Sequence, residues 1–265
     1  MRTNPIVEEV VEQFNVVERM SKIFSTGQSS IKGLLISGDA GTGKTYFAKK
    51  GLYQAVSEDD VTYIKGSSIT AAALFVKLYL SRHKGSVLVL DDVDIIHKGK
   101  AELNTILDLL KGATEMTKGE RIISWERVLN NTMIREVMDG QSSFDFQGSI
   151  IWITNDSISD IEKRTQGHWH SISSRFSQLP IKLTTEQKLL YTLYLLEDKD
   201  MLGVNCESKE GGYSEEIVEN TIQYIRKNYK ILNEVTPRIA AKIADLMELF
   251  PNDWKMMCDN QLISE

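Results

Sequence analysis

The chain has 265 residues, of which 42% are hydrophobic and 26% are charged, and its formal net charge at pH 7 is -6. This length suits one large or two modest domains, and the apolar fraction is sufficient for a proper core. The negative net charge excludes a global basic field that would draw the protein to nucleic acid or to anionic membranes, but it does not exclude local basic patches.

The chain shows no sign of a membrane span or a secretory leader. It has no apolar run of about eighteen residues, and its N-terminus lacks the apolar region of a signal peptide. Cys206 and Cys258 lie far apart in no metal or redox spacing, and His168 and His170 form only a weak H-x-H pattern. We therefore expect a soluble, cytoplasmic protein with no membrane partner.

The first part of the chain is predicted to contain a helix, a strand and a second helix. Apolar residues recur at three- and four-residue steps over 5–24, which indicates an amphipathic helix. A turn-rich break follows, and then residues 31–37 are predicted to form a buried strand. Residues 43–56 are predicted to form the next helix, and a glycine-rich loop joins it to the strand.

Residues 38–45 read G-D-A-G-T-G-K-T and fit the phosphate-loop pattern G-x-x-x-x-G-K-[ST] at every fixed position. Strand, loop and helix are the context that this motif requires. Its glycines let backbone N–H groups point inward at phosphate oxygens, Lys44 supplies a point charge, and Thr45 offers a hydroxyl to Mg²⁺. The residues expected to bind the nucleotide here are Gly38, Asp39, Ala40, Gly41, Thr42, Gly43, Lys44, Thr45 and Tyr46.

A second nucleotide-site signature follows a continuous apolar run. Residues 87–90 read V-L-V-L, which suits a strand buried on both faces of a parallel sheet. Acids at the C-terminal end of such a strand lie where ligands of open α/β sheets bind. We expect Asp91 to hold Mg²⁺, directly or through water, and Asp92 to orient the attacking water. Asp94 is interpreted as a helix cap or a solvated charge; the alternative for all three acids is that they only cap the next helix.

Strands and helices alternate on either side of this signature. A β-branched stretch over 61–65 predicts a short strand, and helices are expected over 69–83 and 101–110. Residues 150–153 form another fully apolar strand, which a Thr-Asn-Asp sequence closes. Asn155 at this strand end is expected to hydrogen-bond the attacking water or the γ-phosphate, the alternative being a turn-forming asparagine.

The long segment 111–147 is predicted to be a hairpin or an insertion that projects from the sheet edge. Residues 121–125 alternate like a strand, and residues 130–138 are consistent with a helix. Trp125 lies in this segment. It is interpreted as a buried structural residue, the alternative being an aromatic residue that binds a client.

Arg175 lies in a Ser-Ser-Arg-Phe segment, ahead of a strand predicted over 179–183. Two interpretations stay open for it. The arginine either forms a salt bridge within its own chain, or it reaches the γ-phosphate of a neighbouring subunit and stabilises transition-state charge. Arg164 is a weaker candidate for the second role.

From residue 184 onward the pattern becomes helical. Residues 184–187 form a capping box, and an amphipathic helix is predicted over 215–229. Thr236 as cap and Pro237 at the first helical position then open the last predicted helix. Arg238 in its first turn is mildly unfavourable for the helix dipole. That placement suggests a functional role, such as reaching the nucleotide phosphates; the alternative is an ordinary surface arginine.

Five motifs, GDAGTGKT, VLVLDD, IWITN, SSRF and TPR, occur in this order, and with them the sequence resembles the AAA+ ATPase family. They are similar to Walker A, Walker B, sensor 1, the arginine-finger segment and sensor 2, and they cover about residues 31–245. The resemblance implies an α/β fold with an N-terminal helical segment over 1–30. A P-loop αβα sandwich with a central parallel sheet follows over 31–183, and a small helical lid over 184–265.

The resemblance also implies the roles of individual residues. AAA+ proteins usually bind ATP between the subunits of a ring or spiral, so a homo-oligomer is expected, with ATP and Mg²⁺ as its cofactors. By analogy, Lys44 and Thr45 hold phosphate and Mg²⁺ with help from Asp91. Asn155 is the sensor 1 residue, Arg175 is the finger that acts in trans, and Arg238 is sensor 2.

The sequence departs from the family pattern at two places. The second Walker B acid is Asp92, where the family more often has Glu, so hydrolysis is expected to be slower or the water to be placed differently. The turn at 65–68 lacks the aromatic–hydrophobic–Gly pore loop of protein unfoldases, which argues against a peptide-threading motor.

Three functional hypotheses follow. The leading one is an oligomeric ATPase that loads or remodels a complex in DNA replication or another phage or plasmid DNA transaction, with DNA or a DNA-processing protein as its client. The second is a small-molecule kinase, which would not need Asn155 and Arg238. The third is a nucleotide-dependent switch or ring subunit that hydrolyses little ATP and acts on a protein client.

Overall fold

The computed structural model describes residues 4–116, 119–125, 136–206 and 209–263. Helices and strands are interspersed up to the end of the central sheet, and the elements that the structure describes after it are helices. The elements in chain order are α1 (Pro5–Ser25), β1 (Gly33–Gly38), α2 (Lys44–Leu52), β2 (Val61–Lys65), α3 (Ala71–Leu80), β3 (Val87–Asp91), α4 (Lys100–Ala113), β4 (Ile122–Ser124), β5 (Ser143–Asp145), β6 (Ser149–Thr154), α5 (Ile158–Thr165), α6 (Trp169–Ser173), β7 (Phe176–Ile181), α7 (Thr185–Glu197), α8 (Glu215–Asn228), α9 (Pro237–Leu249) and α10 (Trp254–Leu262).

The central sheet has five strands in the order β2-β3-β6-β1-β7, and every neighbouring pair is parallel. β3 and β6 are buried along their whole length, as their uninterrupted apolar sequences predict for a sheet covered on both faces. Because parallel strands end at the same edge, the sheet brings the C-terminal ends of β1, β3 and β6 together. These ends carry the phosphate loop, the acids after β3 and Asn155. This architecture confirms the predicted fold class.

The chain divides into two compact units. The sheet and its helices form one unit, from Asn15–Gly38 and Lys44–Ile181. Its core contains the central strands and the apolar faces of α3 and α4, with Trp152 and Phe75 among its fully buried side chains. The edge strand β7 carries an exposed proline, Pro180.

The segment predicted as a hairpin or an insertion contains a separate two-stranded antiparallel sheet, in which Ile122 of β4 pairs with Asp145 of β5. Trp125 follows β4, is only 9% exposed and lies with its ring 5.4 Å from that of Phe75. It is therefore a structural residue rather than an exposed client-binding aromatic. Most of the helix predicted over 130–138 falls outside the residues that the structure describes.

The second unit is formed by Met1–Phe14, Asp39–Gly43 and Lys182–Glu265. The residues of this unit that the structure describes have their own hydrophobic core. Three of its helices, α7, α8 and α9, begin where the sequence predicts. The capping box of Thr184 and Gln187 is present, and Thr236 caps α9 by accepting a hydrogen bond from the N–H of Ile239.

The structure corrects the strand predicted over 179–183. β7 begins at Phe176 and ends at Ile181, so it starts directly after Arg175. Phe176 fits this position because its ring packs edge-on against Trp152, at a centroid distance of 6.3 Å. The helix α10 had no counterpart among the predicted elements, and neither did α5 and α6 in the polar stretch before Arg175.

Candidate functional site

The phosphate loop lies between β1 and α2, as the motif predicts. Gly41 and Gly43 have φ angles of 71° and 114°, in a region that side chains with a Cβ rarely adopt. The two glycines therefore permit the tight curl that turns N–H groups toward a bound anion. The loop leads directly into the N-terminus of α2, where the helix dipole also favours negative charge.

Lys44, the first residue of α2, is 5% exposed. Its Nζ donates hydrogen bonds to the carbonyl oxygen of Gly38, at 2.7 Å, and to Oδ1 of Asn155, at 2.9 Å. Both of these acceptors are neutral. A phosphate oxygen is a stronger acceptor for an ammonium group, so this lysine suits the binding of a phosphate.

The other predicted loop residues differ in exposure. Thr42 is buried and donates from Oγ1 to the carbonyl of Asp39, at 3.0 Å. Asp39 forms an ion pair with Lys188 of α7, within the same unit. Ala40 is half-buried, and Tyr46 is 46% exposed.

Asp91 lies at the end of β3, where the sequence predicts a metal-binding acid, and it is 1% exposed. Its Oδ1 accepts a hydrogen bond from the hydroxyl of Thr45, at 2.8 Å, and its Oδ2 accepts one from the hydroxyl of Tyr63, at 2.6 Å. Burial, together with the hydrogen bond to Asp91, raises the pKa of Tyr63, which keeps this phenol a proton donor.

The oxygens of Thr45 and Asp91 are the donor type that Mg²⁺ prefers, and Mg²⁺ sites commonly use one or two protein ligands plus substrate phosphates. Among residues 4–116, 119–125, 136–206 and 209–263, no group of three or more His, Cys, Asp or Glu is arranged to hold a metal ion. The residues present thus fit an ion that depends on nucleotide oxygens for part of its coordination.

Asp92 and Asn155 lie beside each other at the ends of β3 and β6. The Nδ2 of Asn155 donates to Oδ1 of Asp92, at 2.8 Å, while Oδ1 of the same amide accepts from Lys44. Both side chains are exposed. The amide of Asn155 therefore connects the lysine expected to bind phosphate to the acid expected to act on water.

Arg175 makes contacts within its own unit. Its Nη1 donates to the carbonyl of Ser171, at 3.0 Å, and its Nη2 lies 3.6 Å from Oε1 of Glu115. The Nε is buried and has no hydrogen-bond partner in the described part of the chain. The intrachain ion pair, one of the two interpretations of Arg175, is therefore present, and the role in trans stays a prediction. The competitor Arg164 is exposed.

Arg238 lies in the first turn of α9 and is exposed. A Cβ placed on Gly41 would lie 3.3 Å from the Cβ of Arg238 and 3.1 Å from Oγ1 of Thr236. These residues all belong to the helical unit. The start of α9 and Gly41 of the phosphate loop are thus adjacent, and the sensor 2 role of Arg238 stays a prediction.

Sequence reasoning missed two residues of this site, Tyr63 and Glu115. Tyr63 was recognisable only as an aromatic residue in a short strand. Tyr63 lies two residues before the end of β2, and only the pairing of β2 with β3 brings it next to Asp91. Glu115 lies just beyond α4, in a segment without a regular pattern, and no sequence signal links it to Arg175.

His168 also lies in a polar contact rather than in a histidine pair. Its Nδ1 lies 3.0 Å from Nζ of Lys111 and 3.8 Å from a carboxylate oxygen of Asp108. This cluster joins α4 to the segment ahead of Arg175.

Residues 34–168, just over half of the 265 residues, match a sequence model of the ATPase family associated with various cellular activities (AAA). The chain belongs to the AAA+ ATPases. The matched region of this AAA+ protein includes the phosphate loop from Gly38, the acids after β3 and Asn155. As a family member the chain is a nucleotide-binding ATPase by class.

One relative of this AAA+ chain is an uncharacterized 36.7 kDa protein of the nrdC-mobD intergenic region of Enterobacteria phage T4. The two are 28% identical over 251 residues, which cover 92% of this chain and 71% of the phage protein. The relationship extends over nearly the whole chain.

Two solved structures of RuvB from Thermotoga maritima share the fold. The Holliday junction branch migration motor is 15% identical with a TM-score of 0.50, and a point mutant of RuvB is 13% identical with the same TM-score. Each alignment covers 96% of this chain and 68% of the RuvB chain. At this identity the likeness shows the fold alone. Among the helices of the described residues, none has the length and apolar character needed to cross a membrane.

Proposed function

We propose that this AAA+ protein binds ATP with Mg²⁺, hydrolyses it in a homo-oligomer, and uses the cycle to load or remodel a complex in DNA replication or DNA processing. The observation that carries the proposal is the hydrogen-bonded series Lys44, Asn155 and Asp92, which lies beside the Thr45–Asp91 pair. Phosphate binding, metal binding and water activation each have a suitable side chain at one edge of the sheet.

The roles follow from the chemistry of each group. Lys44 binds the β- and γ-phosphates, and Thr45 with Asp91 holds Mg²⁺, which neutralises phosphate charge when bound. Asp92 orients the attacking water, and Asn155 reports the state of the γ-phosphate through its hydrogen bonds to Lys44 and Asp92. We assign nucleotide binding to residues 31–183 and the lid, with Arg238, to residues 184–265.

The oligomer is proposed because of Arg175. Its guanidinium is held at a defined place by Ser171 and Glu115 of its own chain, and neither of these contacts involves Lys44, Asn155 or Asp91. We propose that Arg175 completes the site of a neighbouring subunit, where a cation stabilises the charge of the transition state.

The DNA role is supported by fold-level likeness only. A Holliday junction branch migration motor has the same fold, and one relative is an uncharacterized protein of phage T4. Both observations are compatible with a client in DNA metabolism. The absent unfoldase pore-loop pattern at 65–68 argues in the same direction.

Asp92 favours a second candidate function, a nucleotide-dependent switch with little hydrolysis that acts on a protein client. The carboxylate of Asp is one methylene shorter than that of Glu, and the Asp92 carboxylate already accepts a hydrogen bond from Asn155. In this second function ATP binding, rather than its hydrolysis, would set the conformation of the oligomer.

The test is ATP binding and hydrolysis by the wild type, Lys44→Ala and the matched control Lys50→Ala. Lys50 is in the same helix but is exposed and pairs with Glu18. We expect Lys44→Ala alone to lose binding by about 10- to 100-fold, the value of a charged hydrogen bond. Unchanged binding would refute the nucleotide site. Hydrolysis stimulated by DNA would support the DNA role, whereas binding with negligible turnover would favour the switch.

A further inference from the structure

Tyr63 of β2 contacts the candidate magnesium site although no motif includes it. In the parallel pairing of β2 with β3, Tyr63 lies opposite Val89, and Lys65 lies opposite Asp91. Residues two apart on a strand share a face, so Tyr63 and Asp91 are diagonal neighbours on one face of the sheet. A diagonal separation of about 7–8 Å is within reach of a long aromatic side chain, and the Tyr63 hydroxyl meets Oδ2 of Asp91 at 2.6 Å.

The helix after the phosphate loop packs over the same two residues. Thr45 and Lys49 are one turn apart on α2 and therefore share a helix face. Thr45 donates to Oδ1 of Asp91, at 2.8 Å, and Nζ of Lys49 lies 4.5 Å from the centre of the Tyr63 ring. The carboxylate of Asp91 is consequently held from two sides, one oxygen by the helix and the other by the neighbouring strand.

We propose that Tyr63 is a positioning residue for the magnesium site, because its hydroxyl fixes the rotation of the Asp91 carboxylate and presents Oδ1 beside Thr45. This inference rests on the proposed binding of ATP with Mg²⁺. Asp91 is 1% exposed, so water cannot readily replace the phenol as a donor to Oδ2. Without Tyr63 the buried oxygen loses its partner, and the carboxylate is free to rotate away from the metal-binding orientation.

The experiment compares Tyr63→Phe with the wild type in the binding of a fluorescent ATP analogue at increasing Mg²⁺ concentration. Phenylalanine keeps the ring under Lys49 and removes only the hydroxyl. We expect the Mg²⁺ concentration for half-maximal enhancement of binding to rise by about 10-fold or more, the effect of losing an outer-shell partner of a metal ligand. Affinity for the analogue without Mg²⁺ should stay at the wild-type value.

Tyr224→Phe is the matched control. It removes a tyrosine–carboxylate hydrogen bond of similar length, 2.7 Å to Asp259, from the helical unit. We expect it to leave the Mg²⁺ requirement unchanged. The ratio of affinities with and without Mg²⁺ is measured within each variant, so a partial loss of folded protein does not alter it.

Two negative results have different meanings. A wild type that binds the analogue only weakly, or binds it equally with and without Mg²⁺, overturns the proposed function itself. A wild type that requires Mg²⁺ together with a Tyr63→Phe variant of equal requirement overturns only the role of Tyr63.

Discussion

The amide nitrogen of Asn155 lies 2.8 Å from Oδ1 of Asp92, across the ends of two neighbouring strands. The backbone of Asp92 has a φ of 52°, in the left-handed region where asparagine and aspartate are the most frequent residues with a side chain. Its N–H donates to the carbonyl of Ile153, at 3.0 Å. Both the backbone conformation of Asp92 and its hydrogen bond with the amide of Asn155 therefore fix the orientation of the Asp92 carboxylate.

Asp92→Asn should abolish most ATP hydrolysis while nucleotide affinity stays close to the wild-type value. Asparagine tolerates the same backbone conformation, so only the charge and the ability to accept a proton are removed. A loss of about 100-fold or more in kcat is expected for a residue that orients and deprotonates water. Steady-state hydrolysis and equilibrium binding measure the two quantities. Asp94→Asn is the matched control and should hydrolyse ATP at the wild-type rate. Wild-type hydrolysis by Asp92→Asn would show that Asp92 does not act on the attacking water.

Arg175→Ala should bind nucleotide but lose about 10³-fold in hydrolysis, the lower end of the contribution of an arginine finger. If Arg175 acts in trans, mixing this variant with Lys44→Ala protein should restore part of the activity, because one subunit then supplies the arginine and its neighbour the intact loop. Wild-type turnover per subunit should also rise with protein concentration.

The control for Arg175 is the exposed arginine Arg164, and Arg164→Ala should keep full activity. Two results would exclude a shared site. One is turnover per subunit that is independent of protein concentration, and the other is a mixture with no more activity than its two components.

Gly51→Ala and Gly112→Ala, both in helices, should change stability in opposite directions. A Cβ on Gly51 of α2 would lie 2.0 Å from the carbonyl oxygen of Glu18, so the backbones of α1 and α2 would have to separate. A loss of about 1–3 kcal/mol is expected for such overpacking. At Gly112 of α4 the nearest atom is Cγ1 of Ile123, at 4.0 Å, and alanine should add about 0.5–1 kcal/mol through helix propensity. Thermal or denaturant unfolding measures both changes, and equal effects would contradict the close approach of α1 and α2.

Glu18 should contribute stability that is lost in acid. Burial alone would raise the pKa of Glu18, but hydrogen bonds from Lys50 and Gln54 outweigh it and hold the pKa below its usual value. A carboxyl group with a lowered folded-state pKa stabilises the fold above its unfolded pKa, and this contribution disappears as the pH falls through the folded value. Glu18→Gln should therefore lower the free energy of unfolding at pH 7 by less than about 1 kcal/mol. Unfolding at pH 7 and near pH 3 should show a difference only at the higher pH.

The central architecture could be predicted because its signals are local. Apolar runs such as 87–90 and 150–153 indicate strands buried on both faces, and the acids and the amide at their ends follow directly in sequence. The capping residues Thr184 and Thr236 fix the starts of α7 and α9 for the same reason. In each case the residues that decide the structure lie within one turn or one strand.

The remaining features depend on pairings between distant segments. The Tyr63 hydroxyl reaches Asp91 only because of the register in which β2 pairs with β3. The sequence of β2 does not indicate that register. Glu115 and Arg175 are brought together by the packing of α4 against α6, and β7 starts early because Phe176 packs on Trp152. These are tertiary contacts, which a single sequence does not specify.

Pro180 in the edge strand β7 has a consequence for how copies of this chain can associate. An exposed strand edge has unpaired N–H and C=O groups that can pair with a strand of another molecule, and a proline has no N–H to donate. The outer edge of β7 is therefore a poor template for extending the sheet from one molecule into the next. The proposed homo-oligomer would therefore associate at this edge through side-chain surfaces rather than through a continuous ladder of backbone hydrogen bonds.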